Sequence, residues 1–385
     1  MDFGFTPEQE ALRQEVRAFL GRDDVQALLR ETHQRPMREE MFSRELHRML
    51  ADRGWLAAHW PTEYGGGGKT AIEMGIIAEE TIRAGVQHSP WALTVNIFGN
   101  AVLLLGSEEQ RRKYLPRIAS GEMLCNVLYT EPDAGSDLVS LRARAVPDSD
   151  DWIINGTKTF NTIGHLASHG LAVVRTDPDA AKHKGLTLFI VDMHAPGVTV
   201  RPMWMLSDER VNEISLEDVR VPGANMVGAP GEGWRLINTA LAVERTGLDF
   251  TSLVARYLDD VIGVIREKQL GGDRFVRQRI AECYTDLEVA RLLVWRVVSN
   301  QAHGKLNDIY SAMSKLYGTE LAKRLTRLGM EIGGLEALLS RWDGNPLAGG
   351  WMEAHHRQSP GMTIAAGTTE IMLYLIAYRG LRVHK

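Results

Sequence analysis

The feature that most constrains this chain is a change of hydrophobic period. Up to about residue 122, apolar residues recur at helical spacing. From about 123 to 221 they fall into short runs separated by turn residues. Beyond about 233 the helical spacing returns and continues nearly to the end. Helices and sheets must each bury an apolar face, so this order predicts separate packed layers. The fold expected is α+β and multi-domain, divided as 1–122 (helical), 123–229 (β) and 230–385 (helical). A length of 385 residues suits two or three domains.

Local signals support that division. Thr6-Pro7-Glu8-Gln9 combines a capping residue, a proline at the first helical position and a capping-box glutamine. Leu12, Val16, Phe19 and Leu20 follow at helical spacing. Phe42, Leu46, Met49 and Leu50 repeat the pattern, and Gly54 can close that helix. Residues 91–105 are apolar nearly all round and predict a buried helix. Ser107 to Gln110 forms a second capping box, with Gly121 ending the helix. Strands are expected at 124–128, 152–154, 171–174, 186–191, 198–200 and 213–219. Turns are expected at Asn155-Gly156 and Ala195-Pro196-Gly197. Residues 222–233 read as a connector. Ile280, Leu287, Val289, Leu292, Leu293 and Val297 mark a long helix. Residues 333–361 read as a glycine-rich loop, and Thr368 as the start of a final helix.

Charge and cysteine usage narrow the function. A net charge of −5 and a pI near 6.2 give no electrostatic reason to expect nucleic acid or an anionic membrane as partner. Two distant cysteines, Cys125 and Cys283, define neither a disulfide framework nor a zinc site. No basic and apolar leader follows Met1, and no apolar run reaches about 18 residues. A cytoplasmic location is expected.

Three motifs invite a functional reading. Gly65-Gly66-Gly67-Gly68-Lys69-Thr70 looks like the end of a phosphate loop. Glu63 stands where the motif needs its first glycine, and no buried strand precedes it, so a turn before a helix is expected. His355-His356 has no ligand spacing nearby; it reads as a solvated loop, and no metal is assigned. Residues 130–137, Thr-Glu-Pro-Asp-Ala-Gly-Ser-Asp, follow a strand. Their glycine lets backbone approach a ligand, and Thr130 and Ser136 can hydrogen-bond a flat heterocycle; an ordinary β-turn is the alternative.

That last segment resembles the flavin-binding loop of the acyl-CoA dehydrogenase family. Three other segments match in order. Residues 155–162, Asn-Gly-Thr-Lys-Thr-Phe-Asn-Thr, resemble the second flavin segment. Residues 217–222, Glu-Asp-Val-Arg-Val-Pro, resemble the strand leaving its β domain. Residues 366–371, Ala-Gly-Thr-Thr-Glu-Ile, resemble the start of its last helix. Trp55-Leu56 and residues 61–66 suit its N-terminal domain. The resemblance spans essentially the whole chain. It implies an N-terminal α-helical domain, a central β-barrel and a C-terminal four-helix bundle with bound FAD. The cofactor contacts it implies are Tyr129, Thr130, Gly135, Ser136, Phe160, Thr162, Arg266, Thr368 and Glu370. Ser136 and Arg245 are the implied substrate contacts.

The departures from the family pattern are informative. Phe160-Asn161-Thr162 stands where Trp-Ile-Thr is common; phenylalanine can stack on a ring system but lacks the indole donor. Met330 and Glu331 precede Gly333-Gly334 where a glutamine is usual, and residues 207–213 are slightly longer than in many relatives. Many relatives carry the catalytic glutamate directly before the last Gly-Thr, but here Ala365 and Ala366 occupy that place. Branched-chain and some long-chain members place it on an earlier helix before an arginine, which here is Glu244-Arg245, with Ala242 where aspartate is frequent. On an ideal helix Ile237, Leu241, Glu244 and Leu248 share one face. A glutamate in an apolar stripe is costly unless paired or functional, and burial there would favour its neutral form. Asp249 lies off the stripe, and Glu370 matches a flavin-contact position.

The expected function is FAD-dependent α,β-dehydrogenation of an acyl-CoA or acyl-carrier thioester, with Glu244 as base and electrons passed to an electron-transfer flavoprotein. The alternatives keep the fold: an oxidase, a desulfinase, a carrier-protein-linked dehydrogenase, or a non-catalytic subunit of a heteromeric enzyme. The resemblance also implies a homodimer or homotetramer. The small residues Ala365-Ala366-Gly367 suggest a branched, cyclic or bulky acyl group.

Overall fold

The computed structural model describes residues 4–34, 42–244, 246–305, 307–344 and 346–383, with 239–244 as backbone only. In chain order the helices are α1 (Pro7–Leu20), α2 (Asp23–Gln34), α3 (Arg44–Asp52), α4 (Ala71–Arg83), α5 (Ser89–Trp91), α6 (Asn100–Leu105), α7 (Glu108–Ala119), α8 (Gly233–Glu244), α9 (Leu248–Glu267), α10 (Arg274–Ala302), α11 (Asp308–Gly333), α12 (Trp351–Met362) and α13 (Thr369–Leu375). The strands are β1 (Cys125–Leu128), β2 (Arg144–Asp148), β3 (Asp151–Lys158), β4 (His169–Arg175), β5 (Leu186–Asp192), β6 (Val198–Trp204), β7 (Arg210–Pro222) and β8 (Met226–Val227). The sequence thus runs through a helical, a sheet and again a helical domain. By packing, the chain divides into two compact units: 23–70 with 87–244, and 1–22 with 71–86 and 245–385.

The first unit is built on one eight-stranded sheet ordered β6-β7-β3-β2-β4-β5-β8, with β1 parallel to β4. Its core gathers Leu128, Ile154, Ala172, Val174, Phe189, Val191, Ile214 and Val219. On β4 and β5 these are alternate positions, but the residues between them are buried too, so both strands are covered on both faces. Asn155-Gly156, expected as a turn, lies inside β3. The register against β7 shifts between Ile154 and Gly156: this two-residue step faces a three-residue step, Val219 to Leu216, so the extra residue of the bulge lies on β7. Gly156 has φ +150°, and a Cβ there would come within 2.4 Å of Ala143 Cβ, so the position needs glycine. Ala195-Pro196-Gly197 is the expected turn, with Gly197 at φ +88°.

Both capping boxes form, Thr6 with Gln9 and Ser107 with Gln110. The buried helix of residues 91–105 is realised as α5 and α6 joined by a π-helical stretch, Ala92–Gly99. The Gly65–Gly68 segment follows a 3-10 turn, Thr62–Tyr64, and no strand leads into it. A Cβ on Gly66 would lie 2.2 Å from the Trp60 carbonyl oxygen, so packing explains this glycine without a phosphate.

In the second unit α9, α10, α11 and α12 share a core of Val254, Leu258, Val261, Leu287, Leu321, Leu325 and Met352, among others. The interval 333–361, expected as a loop, contains α12; its glycines set the helix start, where Gly350 is left-handed at φ +71°. The expected stripe on α10 is also corrected. Cys283, Leu287, Ala290, Val294 and Val297 face the core, whereas Val289 and Leu292 are exposed. Among the described residues no helix is long and apolar enough to cross a membrane.

Candidate functional site

In the sheet unit, the segment after β1 is fastened from beneath by a buried charge pair. Lys158, at the end of β3, is fully buried, and its ammonium donates to Glu131 Oε1 (2.8 Å), the Tyr129 carbonyl (3.1 Å) and the Val173 carbonyl (2.7 Å). Glu131 also accepts the backbone N–H groups of Arg142 (2.6 Å) and Ala143 (2.9 Å). Burial pushes the Lys158 ammonium down to about 8, against the pull of Glu131. A backbone bond from Thr159 N–H to the Thr130 carbonyl, 2.8 Å, joins the two segments that resemble flavin-binding motifs. Neither Glu131 nor Lys158 was a sequence-based candidate. Their spacing of 27 residues carries no local signal, and charged residues are read by default as surface.

On this base Tyr129 is buried, Thr130 and Thr162 are half-buried, and Gly135 and Ser136 are exposed. Phe160 is 53% exposed and left-handed at φ +56°. A Cβ on Gly135 would meet nothing nearer than Thr130 Cγ2 at 4.0 Å, so the loop is open there. An open aromatic face with threonine and serine hydroxyls close in the chain fits a flat heterocycle rich in hydrogen-bond acceptors, as a flavin is.

The remaining candidates lie in the helical unit. Thr368 caps α13, accepting from Ile371 N–H at 3.2 Å, and Glu370 sits in its first turn. The Glu370 carboxyl is held below its ordinary range by a backbone N–H and the Thr368 hydroxyl. Ala366 and Gly367 have φ of +54° and +105°. The Gly367 carbonyl accepts from the buried Lys315 ammonium at 2.6 Å, a fixing contact that sequence reading missed. Arg266 is exposed in the last turn of α9. Ala365 and Ala366 are also exposed.

The spacing argument for Glu244 needs a correction. α8 ends at Glu244, Gly247 turns left-handed at φ +74°, and Leu248 begins α9, so Leu248 does not continue the α8 face. Ile237 is fully buried on α8. The side chains of Leu241 and Glu244, and all of Arg245, lie outside the described residues. The expectation of a solvated His355 is also overturned. It is buried on α12, with Nε2 3.0 Å from Asp260 and its ring packed on those of Tyr257 and Trp351. The period-3.6 placement of a polar residue on an inward face caused the misreading.

Comparison with known proteins gives this arrangement its family. Residues 6–122, 126–219 and 231–381 match the acyl-CoA dehydrogenase N-terminal, middle and C-terminal domains. The chain is 35% identical to acyl-CoA dehydrogenase FadE29 of Mycobacterium tuberculosis, over 100% of this chain and 99% of the relative. Among solved structures, the Tcur3481-Tcur3483 steroid ACAD superposes with a TM-score of 0.91 at 33% identity, covering 100% of both chains. The ChsE4-ChsE5 complex from Mycobacterium tuberculosis superposes at 0.89 with 31% identity, again covering 100% of both. The chain belongs to the acyl-CoA dehydrogenase family, flavin-dependent oxidoreductases acting on CH–CH groups.

Proposed function

We propose that this chain binds FAD through Tyr129, Thr130, Gly135, Ser136, Phe160, Thr162, Arg266, Thr368 and Glu370 and dehydrogenates an acyl-CoA thioester between its α and β carbons. The observation that carries the reading is the joining of the 130–137 and 155–162 segments by Lys158, Glu131 and the Thr159–Thr130 backbone bond. Glu244 takes the α-proton, and Arg245 and Ser136 contact the substrate. FAD, when bound, supplies the acceptor for the hydride that leaves the β carbon. Charge developing on the thioester oxygen calls for hydrogen-bond donors already in place, because such donors need no reorganisation as the charge forms. The electrons then pass to an electron-transfer flavoprotein. The three-part division 1–122, 123–229 and 230–385 and a cytoplasmic location complete the reading.

A branched or cyclic acyl group is proposed from Ala365-Ala366, and the steroid ACAD relative supports it. The proposed assembly is a homodimer or homotetramer. A heteromer with a second family member is the alternative reading, favoured by the likeness to the ChsE4-ChsE5 complex. Light scattering of the purified chain, alone and with co-expressed neighbours, separates these. The test of function is anaerobic bleaching of the yellow protein by a panel of acyl-CoAs. Bleaching by branched or ring-bearing acyl-CoAs is expected. No bleaching by any thioester, or turnover that needs only oxygen as acceptor, contradicts the dehydrogenase reading.

A further inference from the structure

The segment after β3 is unusual in its backbone and in what holds it. Phe160 and Ile163 are both left-handed, at φ +56° and +53°. Such conformations are costly for bulky residues and persist only where surrounding structure over-determines them. Four hydrogen bonds to a single residue of β7 supply that constraint. Asn161 N–H donates to the Asn212 carbonyl (2.9 Å), and Asn212 N–H donates to the Asn161 carbonyl (3.0 Å). The side chains repeat the exchange: Asn161 Nδ2 donates to the Asn212 carbonyl (3.1 Å) and Asn212 Nδ2 to the Asn161 carbonyl (2.8 Å). Both asparagines are buried, at 2% and 0% exposure.

The outer shell of this pair is polar as well. Asn212 Oδ1 accepts from Arg210 Nε at 3.0 Å, and its Nδ2 lies 3.2 Å from His165 Nδ1. Burial and the neighbouring Arg210 hold His165 down to about 4, so at neutral pH the imidazole is uncharged and Nδ1 can accept from that amide. Each Asn212 group is therefore used and its rotamer is fixed. A turn of this length needs only the two backbone bonds. The side-chain pair adds two more at the residue between Phe160 and Thr162.

We propose that Asn161 and Asn212 are positioning residues for the cofactor, a clamp that fixes the Phe160 ring and the Thr162 hydroxyl at the angle the flavin requires. The inference rests on the reading of residues 130–137 and 160–162 as flavin contacts. Asn126 provides an internal control. It lies in the same buried region, where its Nδ2 and an added Cβ on Gly164 would be 3.1 Å apart, and its amide makes no hydrogen bond among the described residues. Altering it disturbs the same buried packing while removing none of the clamp's hydrogen bonds.

The experiment measures FAD affinity, flavin visible circular dichroism and melting temperature of the full chain and its variants. Asn161→Leu removes one clamp donor; Asn212→Asp keeps the shape and the Arg210 contact and replaces the other donor with an acceptor, and the melting temperature reports whether each variant folds. Each is expected to weaken FAD binding about tenfold and to move the flavin dichroism towards that of Phe160→Ala. Combined with Phe160→Ala they are expected to add less than their separate losses, the remainder being the Thr162 contact. Asn126→Leu should leave affinity and dichroism unchanged. If the clamp variants lower the melting temperature while affinity and dichroism stay at wild-type values, or if their effects add fully to Phe160→Ala, the clamp is merely structural and the proposal falls. A wild-type chain that binds no FAD overturns the flavin reading itself, and the clamp with it.

Discussion

Two buried charge clusters in this protein are built on opposite principles. In the sheet unit, Lys158 faces a single carboxylate, Glu131, and the two side chains are 0% and 7% exposed. In the helical unit, Glu79 and Glu80 of α4 share several guanidiniums. Glu79 takes Arg13 at 3.2 Å and Arg291 at 2.7 Å, while Glu80 takes Arg17 at 2.8 Å and Arg13 at 3.6 Å. Among the described residues the first cluster has no spare charged partner; the second is redundant. The first underlies two joined motifs, whereas the second fastens α1 and α10 to α4. The importance of a buried ion pair is therefore set by what remains charged when one member is lost, rather than by how many bonds it makes.

Breaking the first cluster should give the largest effect. Lys158→Met leaves Glu131 buried without a counter-charge and should destabilise the protein by about 3–5 kcal/mol in urea unfolding. The same variant should lose bound FAD, because the carbonyl of Tyr129 and the carboxylate of Glu131 are released together. A stable, yellow Lys158→Met protein would remove the contrast between the clusters.

A buried imidazole with no counter-charge beside it among the described residues sharpens the comparison from another side. His47 on α3 is 5% exposed, and its Nε2 has no hydrogen-bond partner among the described residues. Burial, aided by Arg44, lowers it from 6.5 to about 4. The folded state thus keeps it neutral while the unfolded chain takes up a proton below about 6.5. Stability from this group is complete above that pH and is lost as pH falls towards 4. The loss is of order 3 kcal/mol. His47→Leu should flatten the melting temperature over that window relative to wild type; an unchanged slope would show that His47 is solvated.

The redundant cluster should yield the smallest change. Glu79→Gln leaves Arg13 near Glu80 and Arg291 near Glu288, at 3.6 and 3.4 Å. It should cost about 1–2 kcal/mol and leave FAD content unchanged. A loss as large as that from Lys158→Met would show that sharing confers no tolerance.

The sequence was most legible where one local rule decided the outcome. Both capping boxes and the turn at Gly197 depend on residues three or four apart, and all three formed as expected. β2 escaped notice because four of its five residues are exposed, so no alternation of burial marks it. Asn155-Gly156 carries the chemistry of a hairpin turn, but pairing with β7 on both sides kept it in a strand. α12 was hidden by flanking glycines and by Pro360 near its end. The motifs of the candidate site were visible as words in the sequence. The supporting roles of Glu131, Lys158 and Asn161 inside those motifs, and of Lys315 and Asn212 outside them, were not, because each acts through a partner distant in the chain.

The central claim is that the chain removes an α-proton with Glu244 and oxidises an acyl thioester through bound FAD. Rapid anaerobic mixing of Glu244→Gln with the acyl-CoA that bleaches the wild-type protein fastest tests it most directly. The variant keeps the shape of the side chain and loses only the base. FAD content and thioester affinity should be retained, while the rate of flavin reduction should fall by about 10²–10⁴-fold or more. Reduction at a rate near that of the wild type would show that another group is the base and would contradict the assignment.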